Sequence, residues 1–495
     1  MNIRVLLGTA ACLTLAGCAL KLPPFGANIM PEVVRSQIPG RWAGPHRSGQ
    51  VVPGWILTFH DPELTALVTD AIYRNPDLRA AAARVEASRA AVRIAAASLY
   101  PRIAMKGLGE RQGQEIRGDL GRGINSPDFG PPGTENPGGA GLDTSMDESS
   151  QRWVYGIAAG AAWEADVWGR IRAKKAAAKA ESEALEADYE FARQSLAAAV
   201  ARAYFSTIEA AQQEANAQET LNLYQEYSKL TDVKKQQGFA SDFDIAQIKS
   251  RTASAQDALY VAQQARAQTI RAIEVVTSHY PAGRFDVRRS FSAQPGAVPA
   301  GLPAQLLERR PDLIASERRF AAAFHRVHEA RTARLPRIVL SATGGIGTAQ
   351  LDSVGTLDAV IWSLAGGITQ PIFFGGELKA AQDLRTAEQK AAAWAYIGSA
   401  LRAFEDVEDA LANDYYLRKR EGALTDAVSS STESVTLAGK QLEQGQIDMF
   451  TILRLGGENL AAKVQLTQVR ASRLRERVNL YLALGGDFQG TGTSK

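Results

Sequence analysis

The feature that most constrains this chain is that it is written twice. From Pro76 the sequence reads "PDLRAAAARVEASRAAVRIAAASLYPRI", and from Pro311 it reads "PDLIASERRFAAAFHRVHEARTARLPRI". Pro76 stands as far from Pro101 as Pro311 does from Pro336, so the two segments align without a gap at an offset of 235. A second match follows each. "DVWGRIR" leads into a proline-free stretch from Gly169 and "FFGGELK" does so from Gly376, and the spacing from Gly169 to Gly238 equals that from Gly376 to Gly445. The offset there is 207, and Phe243 and Ile245 match Phe450 and Ile452. The change of offset falls between Pro101 and Gly169, where the first copy carries the longer loop. Ordered self-similarity on this scale means one supersecondary unit used twice.

Each unit opens with a helix of about 23 residues, because proline at the first helical position gives up an N–H that would be unpaired anyway. The helix ends at "YPRI" or "LPRI", where the next proline stops it. Two strand-like runs follow: "RIAMKGLGE" and "RWVYGIAAGAAWEADVW" in the first copy, "RIVLSATGGIG" and "AVIWSLAGGITQPIFF" in the second. Trp153, Tyr155, Ile157, Ala159, Ala161 and Trp163 alternate, as do Val360, Trp362, Leu364, Gly366 and Ile368. Aromatics near strand ends suit the interfacial girdles of a membrane barrel. Residues 111–151, rich in Gly, Pro, Ser and Asp, read as a loop, with 348–358 its shorter counterpart.

Residues 171–237 and 377–443 lack proline. At about 1.5 Å per residue each would form a helix of roughly 100 Å. Heptad-like spacing at Leu185, Tyr189, Ala192, Leu196, Ala199 and Ala203 predicts a coiled-coil seam. A turn and a return helix of about 35 residues follow in each copy. The short and return helices together leave about 15 Å of the long helix uncovered, and 281–308 with the two termini are the segments available to fill it.

The two cysteines, Cys12 and Cys18, both lie at the start of the chain. Arg4 is followed by the apolar run "VLLGTAACLTLAGC", a secretory leader. Its end, Leu15-Ala16-Gly17-Cys18, has the small residues before cysteine of a lipobox, so Cys18 is the expected lipidated (palmitate-bearing) first residue after cleavage. Ala19 rather than aspartate then favours the outer membrane. No later run is apolar enough for a spanning helix, so a membrane crossing would have to be made by strands. A net charge of +3 is too weak to point to nucleic acid.

Four strands cannot close a barrel, since bacterial examples need about eight or more. An open edge in lipid would leave backbone groups unpaired. Several chains must therefore share one barrel, and the same symmetry gathers the long helices into a second tube. The segments "VPAGLPAQLLERRPDL" (298–313), "WEADVWGR" (163–170) and "VNLYLALGG" (478–486) resemble the TolC-like outer-membrane efflux lipoproteins of the NodT type across nearly the whole mature chain. The resemblance implies a mixed α/β membrane protein: a trimer with a 12-stranded transmembrane β-barrel, four strands per chain, continued by a 12-helix periplasmic α-barrel. It implies docking to a periplasmic membrane-fusion adaptor and an inner-membrane pump of the resistance-nodulation-division type. The expected function is passive export of drugs and other toxic small molecules, with no enzymatic activity and no cofactor beyond the lipid on Cys18. The chain then divides into a leader (1–17), an N-terminal anchor and equatorial segment (18–75), a first repeat (76–280), an equatorial linker (281–310), a second repeat (311–486) and a tail (487–495).

The turns at 238–243 and 445–450 become the periplasmic tip. By resemblance, Phe450 holds the place of an apolar gate residue. Arg454 stands where the family commonly has an aspartate whose ring favours cations. Asp242 and Asp244 remain acidic, and a pair between Arg454 and either of them, in the same or a neighbouring chain, would help hold the tip closed. Gly238, Phe239, Ser241, Gly445 and Gln446 are the expected adaptor contacts. His325 and His328 share a helix at a spacing that could bind metal, but no cysteine lies near, and two solvated histidines are the simpler reading. A structural envelope-spanning coiled-coil lipoprotein, or the outer-membrane channel of a type I secretion system, is the alternative function. A tether would need no paired amphipathic strands.

Overall fold

The computed structural model describes residues 21–51, 53–115, 149–291, 296–348 and 360–489. Cys12 and Cys18, and most of the loops expected at 111–151 and 348–358, lie outside the described residues. The longer elements come in the order α1 (Pro62–Arg74), α2 (Pro76–Ala97), β1 (Arg102–Glu115), β2 (Ser149–Ala165), α3 (Arg170–Gln236) and α4 (Asp242–Val276). They continue with α5 (Pro311–Thr332), β3 (Arg337–Thr348), β4 (Val360–Thr369), α6 (Glu377–Glu443) and α7 (Met449–Ala483). The duplication is visible in the lengths: α2 and α5 have 22 residues each, α3 and α6 have 67, and α4 and α7 have 35. Pro76 and Pro311 open their helices, and the Asn75 side chain caps α2 by accepting from the Leu78 N–H at 3.0 Å.

The residues form two compact units. The first contains residues 86–182 and 318–392. It holds an antiparallel sheet in the order β1-β2-β3-β4, with β1 and β4 as its edges. Arg102 pairs with Ala162 in the first hairpin and Arg337 with Thr369 in the second. These pairs are related by the same offsets, 235 and 207, that the sequence carries. Side-chain bonds repeat as well. Trp163 Nε1 donates to the Leu99 carbonyl at 2.9 Å, and Gln370 Nε2 donates to the Arg334 carbonyl at 3.1 Å. The strand expected to run through "TQPIFF" stops at Thr369, because Pro371 has no N–H for a ladder.

The second unit contains residues 25–85, 183–317 and 393–495. Its larger core joins Ala197–Ile208 of α3, Tyr396–Leu411 of α6, and Leu474–Ala483 of α7 with Leu484 just after it. Around these helices pack Trp42, Trp55 and Phe59 from the N-terminal segment, Val287, Val298 and Ala300 from the linker, and Phe488 near the C-terminus. The segments free to fill the uncovered part of the long helix thus supply its aromatic packing: Trp55 stacks on Tyr481 with ring centres 5.7 Å apart. Polar bonds fix the same place. Trp42 Nε1 donates to the Ala300 carbonyl at 3.1 Å, and buried Asp61 accepts from Tyr204 Oη at 3.0 Å and pairs with Arg288 at 3.2 Å. The Arg310 guanidinium, just before the second "PDL", is buried and bridges Asp312 and Asp406 at 2.8 and 2.9 Å.

The heptad rhythm expected in α3 is present but shifted in phase. One buried stripe runs through Ala184, Ala187, Ala198, Ala201, Phe205 and Ile208, with Phe191 and Gln194 half-buried between them, and a second, at Ala197, Val200, Tyr204 and Thr207, lies beside it. Leu185, Tyr189, Ala192, Leu196, Ala199 and Ala203 are all half-buried. An alanine-rich helix keeps the period while offering little side-chain contrast to fix the phase, which is set by the neighbouring helices.

Candidate functional site: an amphipathic sheet and a paired helical tip

In the first unit the strand registers sort the side chains into two faces. Ile103 lies opposite Ala161, Ile157 opposite Ile346, Trp163 opposite Leu340, and Ile346 opposite Val360. With Met105, Trp362, Leu364 and Ile368 these make one continuous apolar face, and most of its large members are exposed. The other face carries Arg102, Lys106, Glu164, Arg337, Ser341, Thr343, Ser363 and Thr369, and the hydroxyls of Thr343 and Ser363 bond across the strands. A Cβ at Gly345 on that face would stand 2.7 Å from the Ile157 carbonyl oxygen and 2.8 Å from Ala158 Cβ. Among the described residues no helix is long and apolar enough to cross a membrane. An exposed apolar face of this size needs a non-aqueous neighbour, and alternation of lipid-facing and inward residues is the pattern of a membrane strand.

In the second unit the two helical hairpins turn alike. Gly238 and Gly445 adopt positive φ, +78° and +73°. Phe239 N–H donates to Lys234 C=O and Gly238 N–H to Lys235 C=O; Gln446 N–H donates to Gln441 C=O and Gly445 N–H to Leu442 C=O. Both are Schellman closures, in which a left-handed glycine lets the chain cap the last carbonyls. The return helices start differently. Ser241 caps α4 in a capping box with Asp244, whereas Asp448 caps α7 by accepting from the Thr451 N–H at 2.8 Å. The Thr451 hydroxyl and that N–H hold the Asp448 carboxyl below the usual carboxylate range.

The pairing of Arg454 within the chain differs from expectation. Asp242 is paired with Lys235, which holds its carboxyl below the usual range, and Asp244 is engaged by Ser241. Arg454 pairs instead with Glu458 at 2.7 Å, one turn along the same face of α7. An i,i+4 partner lies already in reach and needs no contact between helices. Phe239, Phe243 and Phe450 are exposed. Phe450, Arg454 and Glu458 line a cavity of about 320 Å³ with Gln247, Arg251, Leu453, Gly457 and Ala461. Phe243 and Arg251 went unselected in the sequence, although the repeat signalled them: Phe243 is the counterpart of Phe450, and Arg251 that of Glu458. In the first unit, His325 is buried rather than solvated and packs edge-on against Phe324, while His328 is half-buried. Burial lowers the pKa of both.

A lipid-compatible sheet with two free edges, carried with paired helical hairpins, defines the class of outer-membrane channels. The outer membrane efflux protein family matches residues 67–278 and 302–486, and the chain belongs to it. It is 29% identical to the pyoverdine export outer membrane protein OpmQ of Pseudomonas putida, over 98% of this chain and 97% of the relative. It is 30% identical to the toluene efflux pump outer membrane protein TtgF of Pseudomonas putida, over 95% and 96%. The solved outer-membrane channel OprN superposes with a TM-score of 0.81 at 25% identity, covering 96% of this chain and 99% of that one. The TolC-like fold expected from the sequence is therefore the fold of the chain, and the protein is an outer-membrane efflux component.

Proposed function

We propose that three copies of this chain close a twelve-stranded barrel and a twelve-helix periplasmic tunnel, forming the passive exit duct of a tripartite pump. The observation that carries this reading is the four-stranded sheet whose apolar face is exposed and whose β1 and β4 edges have no partner strand among the described residues. Lipid would not tolerate those edges, so they must meet edges of other copies. Cys18 carries the lipid that fixes the protein to the outer membrane. The paired turns, with Gly238, Phe239, Ser241, Gly445 and Gln446 at their surface, meet a periplasmic adaptor, and the inner-membrane pump, of the resistance-nodulation-division type, supplies the energy. The cargo is small toxic compounds, in keeping with relatives named for pyoverdine export and toluene efflux.

The tip is the gate. Phe450 supplies its apolar closure, Arg454 gives it a cationic inner surface, and Asp242 and Asp244 stay at the helix start, the first paired with Lys235 and the second closing the capping box with Ser241. In planar bilayers the purified protein conducts, and Arg454→Asp shifts its selectivity toward cations; unchanged conductance and selectivity would remove Arg454 from the gate. On gels the unheated protein runs as a trimer and the heated one as a single chain. A protein that runs only as a single chain and makes no pores would refute the duct. Cys18→Ala abolishes incorporation of labelled palmitate if the anchor is there.

A further inference from the structure

The motif that leads into each strand pair contains one residue that folding does not use. Pro101-Arg102-Ile103 and Pro336-Arg337-Ile338 are counterparts in the repeat. The prolines follow the ends of α2 and α5, and the isoleucines join the apolar face, Ile103 opposite Ala161 and Ile338 opposite Ile368. The arginines belong to the mixed face, where Lys106 stands beyond Arg102 on β1. All three cations are exposed, and among the described residues none of their side chains has an ion-pair or hydrogen-bond partner. The acids at that end of β2 are already engaged. Glu164 takes Arg170 through both carboxylate oxygens, at 3.2 and 2.8 Å. Asp166 accepts from the Ile171 and Arg172 N–H groups at 3.0 and 2.8 Å and pairs with the Arg172 side chain at 3.2 Å. Around the cations the face is built of small residues: Ala104, Ala158, Gly160, Ala162, Ala365 and Gly367.

We propose that Arg102, Lys106 and Arg337 form a cationic filter at the end of the sheet where the chain enters from α2 and α5, and that the cargo favoured there is anionic: small carboxylates, phosphates or sulfonates. This rests on the duct reading above, with the mixed face lining the bore, and it names the class of compound that the bore favours.

Three points support the filter. Packing does not account for the cations, since they hold no partner and like charges on one face of a sheet repel. Lipid does not account for them either, because their face is the one turned away from the apolar series, and an unpaired charge needs water. Lastly, the repeat supplies one arginine from each hairpin, so the charge is spread along the rim rather than gathered at one strand. Rings of Arg and Lys favour anions as rings of acids favour cations, and walls of one sign focus their field on the water they enclose. The small neighbours leave the long cationic side chains as the groups that reach furthest from this part of the sheet. Arg454 gives the tip a cation of its own, so the two can be told apart by substitution.

The test uses the full-length protein in planar bilayers, with tripolyphosphate as an inorganic polyanion that blocks the current carried by smaller ions. The native protein should be blocked, and the block should weaken as salt rises, because the screening length falls from about 10 Å at 0.1 M to about 3 Å at 1 M. The triple variant Arg102→Gln, Lys106→Gln, Arg337→Gln should raise the half-blocking concentration about ten-fold or more and lower the preference for chloride over potassium. Arg102→Lys with Arg337→Lys should leave both readings as they are, since the charge and not the shape of the side chain does the selecting. Block that survives the triple variant, or that the lysine variants also lose, overturns the filter and leaves the duct standing. Block that is lost with Arg454→Asp but kept by the triple variant assigns anion selection to the tip and overturns the filter as well. A protein that makes no pores overturns the duct and the filter together.

Discussion

Replacing Ser278 by glycine should stabilise the end of α4, and the amount can be worked out from the repeat. Ser278 has φ +61° and closes α4 as Gly485, φ +67°, closes α7. His279 N–H donates to Glu274 C=O at 2.7 Å and Ser278 N–H to Val275 C=O at 2.9 Å, matching Gly486 to Tyr481 at 2.9 Å and Gly485 to Leu482 at 3.0 Å. A left-handed residue with a Cβ costs about 1–2 kcal/mol. The Ser278 hydroxyl is buried without a hydrogen-bond partner, which costs roughly another 1 kcal/mol. Glycine returns about 0.5–1 kcal/mol to the unfolded chain. The net gain is about 1–2 kcal/mol, or a roughly 5–30-fold smaller opening constant. Native-state hydrogen exchange at the His279 amide reads this directly. Ser278→Ala removes the hydroxyl but keeps the Cβ, so it should recover only part of the protection. If Ser278→Ala protects as well as Ser278→Gly, the backbone argument is wrong; if Ser278→Gly exchanges faster than the native protein, both parts are. The reverse change, Gly485→Ser, should lose more than this, because a Cβ there would stand 3.2 Å from Arg309 and Arg310 atoms.

Gly345→Ala should destabilise the β2–β3 pairing by about 2–3 kcal/mol, because its Cβ would meet backbone rather than a movable side chain; Gly344→Ala, which meets nothing within 4 Å, is the control. Reduced heat resistance of the oligomer for the first variant and not the second is the expected result. Asp448→Ala removes the cap of α7 and should cost about 1 kcal/mol there, read as faster exchange at the Thr451 amide. The Asp448 pKa is lowered by the bonds from Thr451. Its contribution is therefore complete above the ordinary carboxylate value of about 3.9 and is lost as pH falls through the lowered value. Exchange at Thr451, corrected for intrinsic rate, should stay level between pH 8 and 5 and rise only in acid.

Much of this molecule is legible because proline, glycine and alternation are local signals. Pro76 and Pro311 mark helix starts, Gly238 and Gly445 mark the turns, and the alternating runs around Trp163 and Trp362 mark strands whose apolar face is indeed continuous. What was not legible depends on which side chain arrives first at a partner. The seam of α3 has the expected rhythm, but alanines on every face hide its phase. The expected partners of Arg454, Asp242 and Asp244 of the same or a neighbouring chain, sit on another helix, and within the chain Glu458, next along its own face, is the partner. The linker and N-terminal segment could be assigned to the bare part of the long helices by length. That Trp55 would stack on Tyr481 could not, because that contact joins residues from nearly opposite ends of the sequence.

The two edges of the sheet are unlike: one is β1 and the other is β4. In the proposed assembly contact between copies is therefore head-to-tail, and adding a chain consumes one edge and supplies an identical one. Every unfinished assembly, whatever its size, still shows one bare β1 and one bare β4, with the same unmet hydrogen bonds as the single chain. No growing intermediate is easier to leave in lipid than the one before it, and only the last joint, which turns the row into a ring, removes both edges at once. In that assembly closure is thus the step that commits the chains.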